Sequence, residues 1–289
     1  MKTGYIKKPS AWLYGDNQTE PTDELLMGWA VGILEEKEEW LKVVTHYGYL
    51  GYLKRDALCP CSLDELMARE NGGRTFFLTR NFIDVMERPD VRSRVLSTLY
   101  KGAFFTALPE MKSGYIKVRL ADGQNGYVPW IACEPRKESD GYFYDPFPET
   151  YFLRQMEKVC GQEQFRQKLL SNAIRYLGTQ YRWAGKSPAG IDCSGFTFMC
   201  YLMSGVLIYR DASIKPGYPV HEIGVGLAKP GDLLYFPGHI AMYLGDGRYI
   251  HATGNEKSFG CVRNSLLKKD PDYRKDLADS LLMAGSIWE

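Results

Sequence analysis

One pattern in the first half of this chain restricts its fold more than any other feature, because it occurs twice. Gly28-Trp29 begins a β-rich run, Trp40-Leu41-Lys42-Val43 continues it and Gly51-Tyr52-Leu53 closes it; Gly102, Tyr115-Ile116-Lys117-Val118 and Gly126-Tyr127-Val128 repeat the order. Trp40 to Gly51 and Tyr115 to Gly126 are each 11 residues apart. Short alternating strands between turn residues, recurring as a unit of roughly 60–75 residues, predict two small β-barrels in tandem, over 1–70 and 71–135. Trp40, Tyr52, Tyr115 and Tyr127 read as core-filling aromatics of those strands. Tyr49 stands apart: it is an extra aromatic in Gly48-Tyr49-Leu50-Gly51-Tyr52, where the second copy has Gln124.

The pattern then changes. EPRKESDGYFYDPFPET, residues 134–150, is rich in charge, Pro and Gly, so a linker is expected over 136–160. Beyond it Phe165, Leu169, Leu170, Ala173, Ile174 and Leu177 fall on one helical face, and Gly178 supplies a stop. Phe196, Met199, Cys200 and Met203 give a second helix after Cys193, ended by Gly205. LLYF, HIAMYL and RYIHAT follow Gly231-Asp232 as strands, two of them joined by the tight turn Gly245-Asp246-Gly247. Two helices followed by a strand meander define an α+β domain over 161–289.

A net charge of +1 gives no global field for nucleic acid or anionic lipid, so neither nucleic-acid binding nor membrane insertion is expected. Seven cysteines form no evenly spaced disulfide framework and no paired metal-binding motif, which favours a reducing compartment. The N-terminal MKTGYIKKPSAWLYGDNQTEP lacks the apolar core of a signal peptide, and a cytoplasmic location is the expectation.

The chemistry concentrates around AGIDCSGFTFMCYLMSG, residues 189–205. Cys193 stands where a helix begins, so unpaired N–H groups and the helix dipole favour its thiolate, and Asp192 is placed to cap that helix. A nucleophile also needs a base, and the base an orienter. Of the four histidines, His239 lies seven residues before Asp246 and His251 five after it. Equal parity puts both on one face of a hairpin as diagonal neighbours, near enough to touch. His221 and His46 have no such partner and read as surface or loop residues.

These residues resemble the NlpC/P60 family of papain-like cysteine peptidases. The resemblance rests on Tyr181-Arg182-Trp183-Ala184-Gly185, Asp192-Cys193-Ser194-Gly195-Phe196, Pro230-Gly231-Asp232-Leu233, His239-Ile240-Ala241-Met242-Tyr243-Leu244-Gly245 and Tyr249-Ile250-His251-Ala252. It implies a papain-like α+β catalytic domain preceded by two SH3-like β-barrels. Cys193 would be the nucleophile, His239 the base and His251 its orienter, with Tyr181 helping to form the oxyanion site. Asp192, Ser194 and Trp183 would line the substrate groove. No metal or organic cofactor is implied, and the substrates would be murein peptides cut after the γ-linked D-glutamyl residue.

Tandem barrels before such a domain are similar to those of the γ-D-glutamyl-L-diamino acid endopeptidases of murein-peptide recycling, which take L-Ala-γ-D-Glu-diamino acid peptides with a free N-terminus. Their Arg-Asp-Ser motif corresponds to Arg210-Asp211-Ala212, with Asp211 a partner for the substrate ammonium; Ala212 lacks the hydroxyl. Tyr49 and Glu24 would reach the same pocket from the first barrel, although Glu24 also reads as a solvated charge near a strand start. Two alternatives stay open: a peptidoglycan-binding protein with a vestigial site, and a papain-like amidase or acyltransferase.

Overall fold

The computed structural model describes residues 2–72, 74–136, 155, 159 and 161–289, which fall in two compact units, Met1–Phe143 and Tyr144–Glu289. The linker expected over 136–160 lies outside the described residues except at Arg136, Gln155 and Val159.

In the first unit, β1 (Lys2–Ile6), β2 (Ser10–Tyr14), β3 (Pro21–Leu26), β4 (Ala30–Lys37), β5 (Trp40–Thr45), β6 (Leu50–Lys54) and β7 (Leu58–Cys61) form one sheet, in the order β3-β2-β6-β5-β4-β1-β7. After α1 (Leu63–Asn71) come β8 (Thr75–Leu78), β9 (Phe82–Met86), β10 (Val95–Tyr100), β11 (Phe104–Lys112), β12 (Tyr115–Arg119), β13 (Asn125–Pro129) and β14 (Cys133–Pro135). Their order, β10-β9-β13-β12-β11-β8-β14, places each strand of the first sheet at the position its counterpart takes seven strands later. A short 3₁₀ turn precedes the last strand of both, at Arg55–Ala57 and Trp130–Ala132. The duplication read from spacing is therefore a duplication of topology, consistent with two SH3-like units.

Turn geometry aligns the copies residue by residue. Thr45 N–H bonds the Tyr49 carbonyl and Leu120 N–H the Gln124 carbonyl, both at 2.9 Å, so Tyr49 does occupy the place of Gln124. Strand parity corrects the assignment of the aromatics, however. In β5 and β12 the buried residues are Leu41, Val43, Thr45, Ile116 and Val118, which leaves Trp40 and Tyr115 on the opposite, half-buried face. Trp40 packs on Tyr14 there, and the half-buried Tyr127 donates its hydroxyl to Glu110 at 2.5 Å; of the four, only Tyr52 is buried.

The two sheets meet through Gly28-Trp29. Trp29 Nε1 donates to the Gly102 carbonyl at 2.8 Å, and Gly28, at φ +80°, approaches so closely that a Cβ would lie 2.1 Å from the Phe104 oxygen. His46 is also drawn into this contact. It is 1% exposed, with the Trp29 and Tyr47 rings each 4.9 Å away, so it is a buried ring of a tight turn and not a surface histidine.

The second unit consists of α2 (Gln162–Ile174), the hairpin β15 (Lys186–Ser187) and β16 (Gly190–Ile191), α3 (Cys193–Leu202), β17 (His221–Ile223), β18 (Leu233–Phe236), β19 (His239–Gly245), β20 (Arg248–Thr253), β21 (Gly260–Ser265), α4 (Lys275–Ser280) and β22 (Met283–Ser286). Its sheet runs β17-β22-β18-β19-β20-β21, with α3 against β19 and β20 and α2 against α3. Every residue of α3 is buried. His221, on the edge strand β17, is exposed as expected.

Helix α2 buries less of its apolar stripe than periodicity suggests. Phe165, Leu169 and Ala173 are inside, but Ile174 and Leu177 are exposed, and Arg166 and Asn172 take the remaining buried places. Arg166 is retained because it closes a polar knot: Nη1 donates to Asp232 Oδ1 at 2.9 Å and to the Pro230 carbonyl at 2.8 Å. Ser286 Oγ and the Lys229 N–H complete the Asp232 carboxylate. Pro230-Gly231-Asp232 thus fixes the start of β18 under α2. Among the described residues no helix is long and apolar enough to cross a membrane, and no group of three His, Cys, Asp or Glu side chains is placed to hold a metal.

Candidate active site

The site begins where the β15–β16 hairpin turns into α3. Asp192 is the N-cap, its carboxylate accepting the Gly195 N–H at 2.5 Å, and Cys193 is the first helical residue. A Cβ on Gly195 would lie 2.2 Å from the Gly185 carbonyl, so a glycine is needed for the hairpin to seat against the helix. Arg210, 2% exposed, binds this whole turn: Nη2 donates to Asp192 Oδ2 at 3.0 Å and to the Ala184 carbonyl at 3.1 Å, and Nη1 to Ser194 Oγ at 2.7 Å. Ser194 also donates to Asp192 Oδ1 at 3.2 Å. Asp192 and Ser194 are therefore joined to each other and to a buried guanidinium, whatever else they touch.

The hairpin register gives the second half of the site. Met242 pairs with Ile250, which centres the β19–β20 hairpin on Asp246 and sets His239 and His251 as diagonal neighbours. Their rings meet: His239 Nε2 lies 2.7 Å from His251 Nδ1, and His251 Nε2 lies 3.0 Å from Asn264 Oδ1 on β21. The backbone N–H of Ile240, beside His239, and that of Ser194 lie near enough to the Cys193 sulfur to favour its thiolate. Helix α3 and strand β19 thus deliver thiol and imidazole to one place.

Burial dominates the electrostatics of that place. It pushes the Cys193 thiol up to about 11, with the Asp192 charge adding to the rise, against the Ile240 amide, Arg210 and the Ser194 amide. It also pulls His239 down to about 4, Arg274 contributing, and His251 to about 3, the neighbouring His239 contributing. Both shifts favour neutral thiol and neutral imidazole, so the thiolate expected from the helix dipole is outweighed by desolvation. Reactivity carries the sign: since thiolate is the alkylated form, iodoacetamide modification of Cys193 should climb with pH from 6 to 9, close to tenfold per unit. A rate already level below pH 7 would mean a preformed thiolate–imidazolium pair.

The other predicted residues divide between the units. Tyr181 forms a bridge to Ile191, lies close enough to Cys193 for the two charges to interact, and has its phenol raised, chiefly by burial. Trp183 is 67% exposed at the turn before the hairpin, and Asp211 follows Arg210, hydrogen-bonded to Tyr209. Tyr49 and Glu24 belong to the first unit. Tyr49 is half-buried, its N–H held by Thr45 Oγ1 at 2.9 Å; Glu24 on β3 is 1% exposed, which overturns its reading as a solvated charge. Asp23 beside it accepts a hydrogen bond from the Tyr47 hydroxyl.

Three participants escaped the sequence reading. Arg210 stood in a quoted motif whose role was given to Asp211. Asn264 carried no local signal. Phe259, 58% exposed, sets its ring edge-on to Tyr181 at 6.4 Å.

A cysteine at a capped helix start, facing a histidine pair on an antiparallel sheet, defines a papain-like cysteine peptidase site. The chain belongs to the NlpC/P60 family, whose model matches residues 178–271. It is 36% identical over 277 residues to Dipeptidyl-peptidase 6 of Lysinibacillus sphaericus, covering 94% of both chains. It is 27% identical to the Gamma-D-glutamyl-L-lysine dipeptidyl-peptidase of Bacillus cereus, over 86% of this chain and 71% of that one. In fold it is similar to the crystal structure of an NlpC/P60 family protein from Bacillus cereus, with a TM-score of 0.74, 19% identity and 98% of each chain covered.

Proposed function

We propose that this peptidase hydrolyses the bond between γ-D-Glu and the diamino acid in murein peptides that begin with a free L-Ala, in peptidoglycan recycling. The observation that carries the reading is the Cys193, His239, His251 constellation behind the Asp192–Arg210 turn. Cys193 attacks the γ-carbonyl while His239 takes the thiol proton. The oxyanion forms between the Tyr181 hydroxyl and the Cys193 N–H, one of the helix's first amides and so without an intrahelical acceptor. His239 then returns the proton to the leaving amine, and water, activated by the same imidazole, releases the dipeptide from the thioester. The Bacillus cereus relative bears a name for this bond, which supports the substrate class.

Asp211 accounts for the free terminus, since a carboxylate in that pocket rewards an ammonium. The test is turnover of L-Ala-γ-D-Glu-L-Lys, its diaminopimelate analogue and their N-acetyl forms, followed by mass spectrometry. Release of L-Ala-γ-D-Glu is expected, with kcat/KM falling about 10–100-fold on acetylation, the worth of one charged hydrogen bond. Equal turnover of free and acetylated peptides would remove the amine pocket; no turnover of any would remove the substrate class.

A further inference from the structure

We propose that Asn264 is a positioning residue that fixes the tautomers of both histidines and so decides which nitrogen of His239 is the base. The inference rests on the Cys193, His239 and His251 reading, and it starts from a carbonyl. Asn264 Nδ2 donates to the Asp272 carbonyl at 2.9 Å, and the same oxygen accepts the Ser265 N–H at 3.1 Å. That carbonyl cannot turn away, because the Arg274 N–H is bonded to the Ser265 carbonyl at 3.1 Å and the Tyr273 N–H to that of Asp270 at 3.2 Å. A flipped Asn264 amide would set oxygen against oxygen, so its Oδ1 must face His251.

The remaining protons follow in sequence. Asn264 Oδ1 can only accept, so His251 carries its proton on Nε2 and donates it across 3.0 Å. Neutral His251 then has a lone pair on Nδ1, and His239 must donate Nε2–H to it across 2.7 Å. The lone pair of His239 is left on Nδ1, the one nitrogen not engaged by His251. After proton transfer the same chain still works, because imidazolium His239 keeps donating from Nε2 to an unchanged acceptor. Reverse the His251 tautomer and its Nδ1–H points at His239, whose own proton is forced onto Nδ1; no base remains. Asn264, 6% exposed and 13 residues along the chain from His251, excludes that state through one amide.

Two measurements separate this role from a structural one. Nitrogen-15 NMR of the imidazoles in the wild-type protein at pH 7 should find His239 and His251 both protonated on Nε2 and bare on Nδ1. Asn264→Ala should lower kcat by about 10–100-fold with KM held within a factor of about two, and should give a mixed His251 tautomer. Asn264→Asp keeps the acceptor and should recover the Nε2–H tautomer even if it folds less well. A His251 proton on Nδ1 in the wild type, or a folded Asn264→Ala protein with unchanged kcat, overturns the proposal. The NMR pattern is read without substrate, so it stands or falls separately from the peptide specificity.

Discussion

Cys193→Ala is expected to remove at least ~10⁴-fold of the turnover of a cleaved peptide while leaving the protein folded. The side chain is 7% exposed and its replacement deletes one sulfur, a packing loss of about 1 kcal/mol. Folding and activity therefore separate at this position. Cys200, on the same helix and fully buried, is the matched control. Cys200→Ala should cost similar stability and retain kcat, because Cys200 stands about two turns along α3 from the helix start that presents Cys193. Turnover by mass spectrometry and thermal unfolding by circular dichroism read the two effects. Residual peptide cleavage by Cys193→Ala above a hundredth of wild type would transfer the nucleophile to another residue.

The parts of this protein that were legible in its sequence are those written in local spacing. Alternation in β5 and β12 and the 11-residue interval between aromatic and Gly-Tyr revealed the duplicated sheet, because a strand shows its period over a few residues. The histidine pair was legible for the same reason: a two-sided hairpin converts parity into proximity. Parity also marks the limit, since it says which residues share a face but not which face is inside; Trp40 and Tyr115 were placed on the wrong one. Asn264 lies 13 residues from His251, and its amide is oriented by Asp272, a relation created by the chain's path after β21. Glu24 and His46 look like solvated polar residues until the sheets around them are assembled. Arg210 stands 18 residues from the carboxylate it neutralises, and no periodicity links them.

That pairing sets the second large effect. Arg210→Met would leave the Asp192 carboxylate, itself 6% exposed, without its guanidinium, and would strip the Ala184 carbonyl and Ser194 hydroxyl of a donor. Breaking one side of a buried ion pair costs about 3–5 kcal/mol, which for a unit of this size lowers the melting temperature by on the order of 10 °C. Arg210→Lys keeps the charge, but an ammonium cannot meet both Asp192 oxygens, Ser194 and Ala184 at once, so an intermediate loss is expected. The double change Asp192→Asn with Arg210→Met tests the cause. It removes both charges and should be less destabilising than the sum of the single changes, because what is costly is the orphaned carboxylate. Activity should fall in all three variants even where they are folded, since Asp192 caps the helix that presents Cys193. A melting temperature for Arg210→Met within 2 °C of wild type would show that Asp192 finds water or another donor, and that α3 is held by its packing on β19 and β20 instead.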